Sequence, residues 1–354
     1  MILINGNFLC RNLTGIERFS WEICKQLDNL IQKDDDFAIL APANAKNFPD
    51  FKKIKLIISE KPIKSFPKWD LFDFKKACKK HNAIGLNFSN TAPLGKACGY
   101  AFIHDIYAHD FPKDFVSLKE KLIKAYCNLN YKNIAKNAKK IFTVSEFSAK
   151  QIKKAYKVSD SRLAVIPNGW EHFNSIQKDD GIFEKYPKLQ KKNFYFTLGS
   201  LQKRKNLKWI AIHAKNHPQE IFAISGRVIS GYESEEISEL SSLSNVILLG
   251  YVSDEEVKAL MSECKAFVFP SYYEGFGIPP LEAMSVGAKI ICANAASLPE
   301  IYEKSAHYID INQNPADVDF EKLLLEKVEP NEKILEKYTY EKSAQKLLAA
   351  LRNG

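Results

Sequence analysis

The sequence predicts an α/β protein made of two doubly wound domains. Short apolar runs, each stopped by a glycine or a polar turn and followed by a helical pattern, alternate along the chain. Such alternation is typical of a parallel sheet covered by helices on both faces. The pattern starts afresh at residue 194 after the polar, charged segment 177–192, which we interpret as a linker. A length of 354 residues fits two domains.

The first half opens with a strand, a glycine-containing loop and a helix from about Ile16. Apolar residues recur at helical spacing over 16–30, which gives this helix one apolar face. Thr14 is the expected N-cap, and Gly15 would let a ligand approach the helix N-terminus. The strands predicted in this half are 2–5, 37–40, 54–58, 83–88, 100–103, 141–144 and 163–166.

A further helix is predicted over residues 115–140. Leu118, Leu122, Tyr126 and Leu129 form one stripe, which we expect to pack on the core, while lysines occupy other positions. Those lysines form a solvated face or, alternatively, a surface for anionic lipid headgroups. They are Lys119, Lys121, Lys124, Lys132, Lys136, Lys139 and Lys140.

The second half contains strands at 194–198, 221–225, 245–252, 266–269 and 289–293, and its most informative stretch follows the fourth of them. There, Gly275 and Gly277 free the backbone for close approaches. Pro279 can sit in the first turn of a helix, and Glu282 is then expected in that first turn. Two carboxylates, Glu274 and Glu282, therefore flank a glycine loop at a strand-to-helix turn, where open parallel sheets bind ligands.

Composition excludes several classes of protein. With 45% hydrophobic and 26% charged residues the chain is globular, and no apolar run reaches the roughly 18 residues of a membrane span. The first residues predict a strand and not a signal peptide, so we expect a cytoplasmic protein. Seven scattered cysteines support neither disulfides nor a zinc site. A net charge of +9 favours an acidic partner such as a nucleotide, a lipid surface or nucleic acid.

The run from Glu274 to Met284, Glu-Gly-Phe-Gly-Ile-Pro-Pro-Leu-Glu-Ala-Met, resembles the two-glutamate signature of the family 4 retaining glycosyltransferases. That family has the GT-B fold, in which two Rossmann-like domains face a cleft. The resemblance implies that the first glutamate and the loop amides hold the donor sugar, and that Glu282 accepts hydrogen bonds from the ribose. The loop residues concerned are Gly275, Phe276, Gly277 and Ile278.

Other segments resemble the same family. Gly199 to Asn206 is similar to its phosphate-binding segment, which implies that Arg204 and Lys205 bind the diphosphate. Ser200, which we also name as donor-binding, stands where some members of the family carry an arginine, for which Arg204 or Arg227 can substitute. The residues after Gly250, Tyr251 and Val252, correspond to backbone that contacts the base.

In the first half, Gly15 corresponds to a glycine that lies against the donor, although Glu17 replaces the second glycine of that pattern and should hinder close approach there. His104, followed by Asp105, which is placed to orient it, corresponds to a histidine that holds sugar and acceptor. We therefore name His104 and Glu274 as the catalytic pair. The implied domains are an acceptor-side domain over 1–185, a nucleotide-sugar-binding domain over 193–337 and a helix over 338–354 that crosses back to the first domain.

We expect no metal and no other cofactor. Asp317-Val318-Asp319 has the form of a metal-binding motif, but it precedes an apolar helix and is interpreted as a helix start. The charges of Arg204 and Lys205, with helix amides, can neutralise a leaving diphosphate instead.

The function predicted is retaining transfer of a hexose, with mannose favoured, from a nucleotide-sugar, with GDP favoured, to a glycan or lipid-linked glycan in surface polysaccharide or lipopolysaccharide synthesis. Alternatives are a UDP-sugar-dependent transferase or a sugar-nucleotide epimerase of the same architecture. A nucleic-acid-binding protein would use the positive charge, but the lysines are dispersed and no binding motif is present, so we expect no nucleic-acid partner. An anionic membrane surface at the inner face of the cell membrane is a further expected partner.

Overall fold

A computed structural model describes residues 1–32, 34–199, 202–226 and 235–353. The strands are β1 Ile2–Asn5, β2 Phe37–Ala41, β3 Lys55–Ile58, β4 Ile84–Asn87, β5 Tyr100–Phe102, β6 Lys140–Thr143, β7 Leu163–Val165, β8 Phe194–Leu198, β9 Ile221–Ser225, β10 Val246–Gly250, β11 Ala266–Phe269, β12 Ile290–Ala293 and β13 His307–Ile309. The helices are α1 Gly15–Leu30, α2 Phe66–Lys68, α3 Lys75–Lys80, α4 Tyr107–Asp110, α5 Leu118–Asn137, α6 Glu146–Tyr156, α7 Gly181–Lys185, α8 Leu207–Asn216, α9 Glu235–Ser242, α10 Asp254–Glu263, α11 Ile278–Ser285, α12 Leu298–Tyr302, α13 Phe320–Leu323, α14 Asn331–Lys337 and α15 Tyr340–Arg352.

The chain forms two units, each built around one parallel sheet, which confirms the predicted fold class. The first unit comprises Met1–Asn168 and Thr339–Gly354, and the second comprises Gly169–Tyr338. Strand order in the first unit is β3-β2-β1-β4-β5-β6-β7, and in the second it is β10-β9-β8-β11-β12-β13. Chain direction across the sheet therefore reverses between β1 and β4 and again between β8 and β11, the switch points at which doubly wound sheets bind ligands.

The second unit begins earlier than the sequence predicted. We placed residues up to 185 in the first domain, yet the chain enters the second unit at Gly169. The reason is a set of contacts that tie the segment to α10 and α14. The Lys258 ammonium donates to the carbonyls of Phe173 at 2.7 Å and Ile176 at 2.8 Å, and the Trp170 indole donates to the Leu335 carbonyl at 3.0 Å.

The stripe on α5 is oriented opposite to our expectation. Leu118, Leu122 and Leu129 are 81%, 73% and 54% exposed, so this stripe faces solvent. The buried residues of α5 lie in its second half, where Tyr131, Ile134 and Ala135 join an apolar cluster. Asn133 fixes this half, since it accepts from the Gly95 amide at 2.9 Å and donates to the Pro93 carbonyl at 3.0 Å. Apolar spacing marks a face of a helix, but it does not tell which neighbour that face meets.

The two ends of the first unit share one core. Leu347 of α15 belongs to the same buried cluster as Phe19 and Ile23 of α1. The sequence had placed the terminal helix on the first domain from its resemblance alone. None of the helices in the described residues combines the length and the apolar character needed to cross a membrane.

Replacing Leu347 with alanine should destabilise the first unit by about 2–5 kcal/mol, because a fully buried side chain is lost and a cavity remains. Urea unfolding followed by circular dichroism measures the change. Lys346→Ala, at the neighbouring exposed position of the same helix, is the matched control and should leave the curve unchanged within about 0.5 kcal/mol. If Leu347→Ala leaves the unfolding curve as little changed as Lys346→Ala does, α15 contributes nothing to the core.

Candidate active site

The candidate site lies where β8 and β11 end side by side. These two strands pair in parallel, so the segments that follow them emerge at the same edge of the sheet. A small cavity opens at this edge. It is lined by Thr197, Leu198, Gly199, Lys205, Leu207, Ile224, Ser225, Phe269, Pro270 and Ser271.

One carboxylate and two cations meet beside this cavity. Glu274, from the turn after β11, accepts from Arg204 Nη1 and from Lys205 Nζ, both at 2.7 Å. Each cation uses a different oxygen of the carboxylate. The side chains of Glu274 and Lys205 are only 8% and 11% exposed. The structure thus brings together three residues that the sequence had singled out separately.

The charge of Glu274 is maintained by its partners. Burial alone would raise the pKa of this carboxyl, but the positive charges of Arg204 and Lys205 outweigh burial and hold the pKa below its ordinary value of 4.5. The carboxylate is therefore ionised at neutral pH. Removing either cation would leave a buried negative charge with less compensation, which is costly.

The turn that carries the cations is itself fixed to β11. The Arg204 carbonyl accepts from the Tyr272 amide at 3.0 Å, and the Arg204 Nε–H donates to Gln202 at 2.9 Å. Asn206 adopts a left-handed backbone, with φ of 56°, and its side chain donates to the Pro270 carbonyl at 3.2 Å. The Lys205 ammonium also lies 4.6 Å from the centre of the Phe269 ring, within reach of a cation–π contact.

The glycine loop is held through its carbonyl groups. The Ser297 hydroxyl donates to the carbonyls of Glu274 and Phe276 at 3.0 and 3.2 Å, and the Tyr302 hydroxyl donates to that of Gly277. Gly277 has φ of 90°, and an added Cβ would approach Leu298 to 2.7 Å, so only glycine fits here. The amides of Phe276, Gly277 and Ile278 lie at the start of α11, where N–H groups have no intrahelical acceptor. This geometry presents donors to an anion or to sugar hydroxyls.

Glu282 lies just beyond the first turn of α11, in which we had placed it. The helix begins at Ile278, before both prolines, so Glu282 is its fifth residue and not part of the first turn. Its Oε1 lies 2.9 Å from Nε2 of His172. His172 is a residue that we did not select from the sequence, because it lies in the segment assigned to the first domain. The only available signal was a histidine shortly after the Asn168-Gly169 turn.

The first unit contains two further predicted residues. Gly15 is the first residue of α1, and Thr14 occupies the N-cap position. The Thr14 hydroxyl donates to Glu17 and makes no capping bond, and Arg11 Nη1 lies 3.8 Å from the Glu17 carboxylate. Glu17 is buried.

His104 is not oriented by Asp105, contrary to our expectation. Its Nε2 donates to the Phe88 carbonyl at 2.7 Å, while Asp105 accepts from the Tyr107 amide at 3.0 Å. The ring packs edge-on against Phe19, with 5.2 Å between the centroids. Burial lowers the pKa of His104, so the imidazole is neutral at physiological pH.

The remaining predicted donor residues fall in two places. Tyr251 and Val252 directly follow β10, at the same edge of the sheet as the cation turn, and Gly250 before them has φ of 67°. Ser200 and Arg227 lie outside the described residues.

Asp319 is the N-cap of α13, where it accepts from the Lys322 amide at 2.9 Å, which confirms the helix start predicted for Asp317-Val318-Asp319.

A second cluster of polar residues lies away from this edge. Within the described residues, His213, His217 and Glu220 bring one ligand atom each within 4.8 Å of one another. His213 already contacts the Pro315 carbonyl at 2.9 Å and Glu220 at 2.8 Å. The two imidazole rings are stacked, 4.2 Å apart and 17° from parallel. Because imidazole binds a metal in its own plane, stacked rings do not converge on one ion, and the cluster fits a structural role.

Comparison with known proteins assigns both halves of the chain. Residues 13–172 match the model described as Glycosyltransferase Family 4, and residues 178–342 match the model described as Glycosyl transferases group 1. Sucrose-phosphate synthase from Thermosynechococcus elongatus superposes with a TM-score of 0.72 at 15% identity, covering 99% of this chain and 98% of that chain. This likeness confirms the fold.

Three curated relatives are similar in sequence. O-antigen chain mannosyltransferase B of Escherichia coli is 31% identical over 59% of this chain and 54% of its own length. O-antigen chain mannosyltransferase RfbU of Salmonella typhimurium is 28% identical over 67% of this chain and 61% of its own length. The UDP-Gal:alpha-D-GlcNAc-diphosphoundecaprenol alpha-1,3-galactosyltransferase of Escherichia coli is 26% identical over 77% of this chain and 70% of its own length. The chain thus spans less than two thirds of the two mannosyltransferases that it matches.

The buried neutral state of His104 predicts a loss of stability in mild acid. The unfolded chain takes up a proton near the ordinary pKa of 6.5, whereas the folded chain, with its lowered pKa, does not. Stability is therefore complete above pH 6.5 and falls below it, by up to about 1.4 kcal/mol per pH unit for one proton. His104→Gln, which keeps a donor for the Phe88 carbonyl, should flatten this dependence in urea unfolding between pH 7.5 and 5.5. If the free energy of unfolding changes equally with pH in the wild type and in His104→Gln, the buried imidazole of His104 is not the group that titrates.

Proposed function

We propose that this chain, which belongs to the glycosyltransferases with a GT-B fold, is a retaining hexosyltransferase. The proposed reaction moves a mannose-type sugar from a GDP-linked donor to a glycan or lipid-linked glycan in surface polysaccharide or lipopolysaccharide synthesis. The observation that carries the proposal is the pairing of Glu274 with Arg204 and Lys205 at the switch point of the second sheet.

The pairing suits a site in which a bound anion can replace the Glu274 carboxylate as the partner of the two cations. Arg204 and Lys205 neutralise a carboxylate here, and a diphosphate offers the same chemistry with more charge. When the donor binds, its phosphates would take over these cations and release Glu274 to accept hydrogen bonds from sugar hydroxyls. These ion pairs hold all three side chains close to the positions that the proposed complex needs.

The remaining donor contacts follow from the same edge of the sheet. In the proposed complex the amides of Phe276, Gly277 and Ile278 donate to the sugar, and Glu282 accepts from the ribose. The base lies against backbone at Tyr251 and Val252. As the family resemblance implies, Gly15 would lie against the donor, and His104 would hold the sugar and the acceptor.

In the proposed mechanism the bond between the anomeric carbon and the diphosphate oxygen breaks first, which leaves positive charge on the sugar and negative charge on the diphosphate. Arg204 and Lys205 stabilise the leaving group electrostatically. The acceptor oxygen then bonds to the anomeric carbon on the same face, and its proton passes to the departing phosphate. We propose that no metal is needed, because two fixed cations supply the neutralising charge.

The identity of the sugar and that of the base are proposed from the relatives. Two of the three are mannosyltransferases of O-antigen chains, which favours mannose, while the third uses UDP-Gal and keeps a UDP-sugar as the second candidate. Backbone contacts to the base leave few side chains from which the nucleotide can be predicted.

The exposed stripe on α5 supports a peripheral membrane position. Leu118, Leu122 and Leu129 face solvent, with Lys119 and Lys121 exposed beside them. An exposed apolar stripe flanked by lysines suits the interface of an anionic bilayer, where leucines enter the headgroup region and lysines meet phosphates. We propose that α5 holds the enzyme on the surface that carries a lipid-linked acceptor.

The donor class is testable by thermal stability in the presence of GDP, UDP, ADP, dTDP, CMP and their sugars. A nucleotide at 100 times its dissociation constant should stabilise the wild type by about 2.7 kcal/mol, and Glu282→Ala should weaken the shift.

Arg204→Gln should lower kcat/KM by about 10²- to 10³-fold, since it removes a fixed charge from the leaving group.

Lys203→Gln is the matched control, because Lys203 is exposed in the same turn. It should leave both readouts near wild type, and added EDTA should leave the rate unchanged. If millimolar concentrations of every nucleotide fail to shift the melting curve, the donor site is assigned incorrectly.

Membrane docking is tested by sedimentation with vesicles of phosphatidylcholine and 30% phosphatidylglycerol. Leu118→Ser combined with Leu122→Ser should reduce binding about tenfold or more, because two side chains that enter the bilayer are lost. Leu325→Ser, at an 85% exposed leucine of the second unit, is the control and should bind like wild type. Equal binding of the double variant and wild type would refute docking through α5.

A further inference from the structure

We infer that His172 positions Glu282 for recognition of the donor's ribose. The inference rests on the proposed function, since it concerns the carboxylate that we assign to the ribose. No motif in the sequence marked His172, and its assignment comes from the contact alone. His172 Nε2 lies 2.9 Å from Glu282 Oε1, and the two side chains are 3% and 13% exposed.

The chemistry of the pair fixes the direction of the hydrogen bond. A carboxylate accepts, so the imidazole must donate through Nε2–H. This bond engages one oxygen of Glu282. The other oxygen, Oε2, has no protein donor among the described contacts of Glu282 and remains available for ribose hydroxyls. His172 therefore selects which edge of the carboxylate a ligand meets.

His172 can do this because its own segment is anchored on both sides. Before it, the Trp170 indole donates to the Leu335 carbonyl. After it, Lys258 donates to the carbonyls of Phe173 and Ile176. The His172 carbonyl itself accepts from the Ser175 hydroxyl at 2.8 Å. The histidine is thus a rigid support, whereas a glutamate on a helix surface would otherwise sample several rotamers.

A positioned acceptor binds more tightly because its freedom is lost before the ligand arrives. Without His172, Glu282 would have to be ordered by the nucleotide, and the benefit of each ribose hydroxyl would fall. The effect should appear in donor binding and in KM, with kcat little changed, because the ribose is remote from the bond that breaks. His172 is in this sense a positioning residue and not a catalytic one.

The experiment compares each protein with two ligands, GDP and 2′,3′-dideoxy-GDP, by isothermal titration calorimetry. If the thermal screen selects UDP, UDP and its dideoxy analogue are used. In the wild type, loss of the ribose hydroxyls should weaken binding about 30-fold. The ratio of the two dissociation constants, dideoxy analogue over nucleotide, should fall close to one in Glu282→Ala. In His172→Ala it should fall to about three. His172→Gln, whose amide can donate from the position of Nε2, should restore most of the ratio.

His307→Gln is the matched control, because His307 is another buried histidine of the second unit that lies outside the site. It should keep the wild-type ratio. A general loss of packing would weaken both ligands equally and leave the ratio intact, so the ratio separates positioning from structural damage. If His172→Ala does not fold, His172→Gln is compared with His172→Asn, whose shorter amide should fail to restore the ratio.

The outcomes distinguish this inference from the proposal on which it rests. A wild type that binds no nucleotide overturns the proposed function. A wild type that binds, with a ratio that Glu282→Ala abolishes and every His172 variant keeps, overturns the role of His172 alone. A wild type that binds both ligands equally well also overturns it.

Discussion

The structure of the candidate site depends on one buried carboxylate that two cations neutralise. Glu274 sits at the end of β11 and Arg204 and Lys205 sit after β8, so the contact is possible only because these strands are neighbours in a parallel sheet. Neither cation could be buried so deeply beside the other without the carboxylate between them. The same contact joins the glycine loop to the cation turn, and Ser297 and Tyr302 then fix the loop through its carbonyls.

The site also depends on a segment whose importance is not evident in the chain. Residues 169–176 connect the two sheets in sequence, but they pack on the second unit and supply the partner of Glu282. The Glu282 carboxylate is therefore supported from outside the helix that carries it. The two carboxylates thus have different kinds of partner, cationic for Glu274 and imidazole for Glu282.

Much of this was predictable from the sequence, and the failures have specific physical causes. Most strands were placed to within two residues because parallel strands are continuous apolar runs ended by glycine or polar turns, but the three-residue β13 was not predicted. Glu274, Arg204 and Lys205 were found by resemblance, but their mutual contact was not, since it depends on strand order. His172 was missed because a linker has no periodicity. The α5 stripe was assigned to the core because spacing carries no information on which part of a helix its neighbours cover, and the buried asparagines in the second half of that helix were not anticipated.

The position of α15 has a consequence for biosynthesis. The second unit is one continuous segment, Gly169–Tyr338, whereas the core of the first unit contains side chains from both α1 and α15. On the ribosome the whole of the second unit emerges before α15 does. Of the two units, the first is thus completed later, and α1 lacks its partner α15 while about 300 residues are added. A chaperone that shields the nascent first unit until α15 has been made would therefore raise the yield of folded protein.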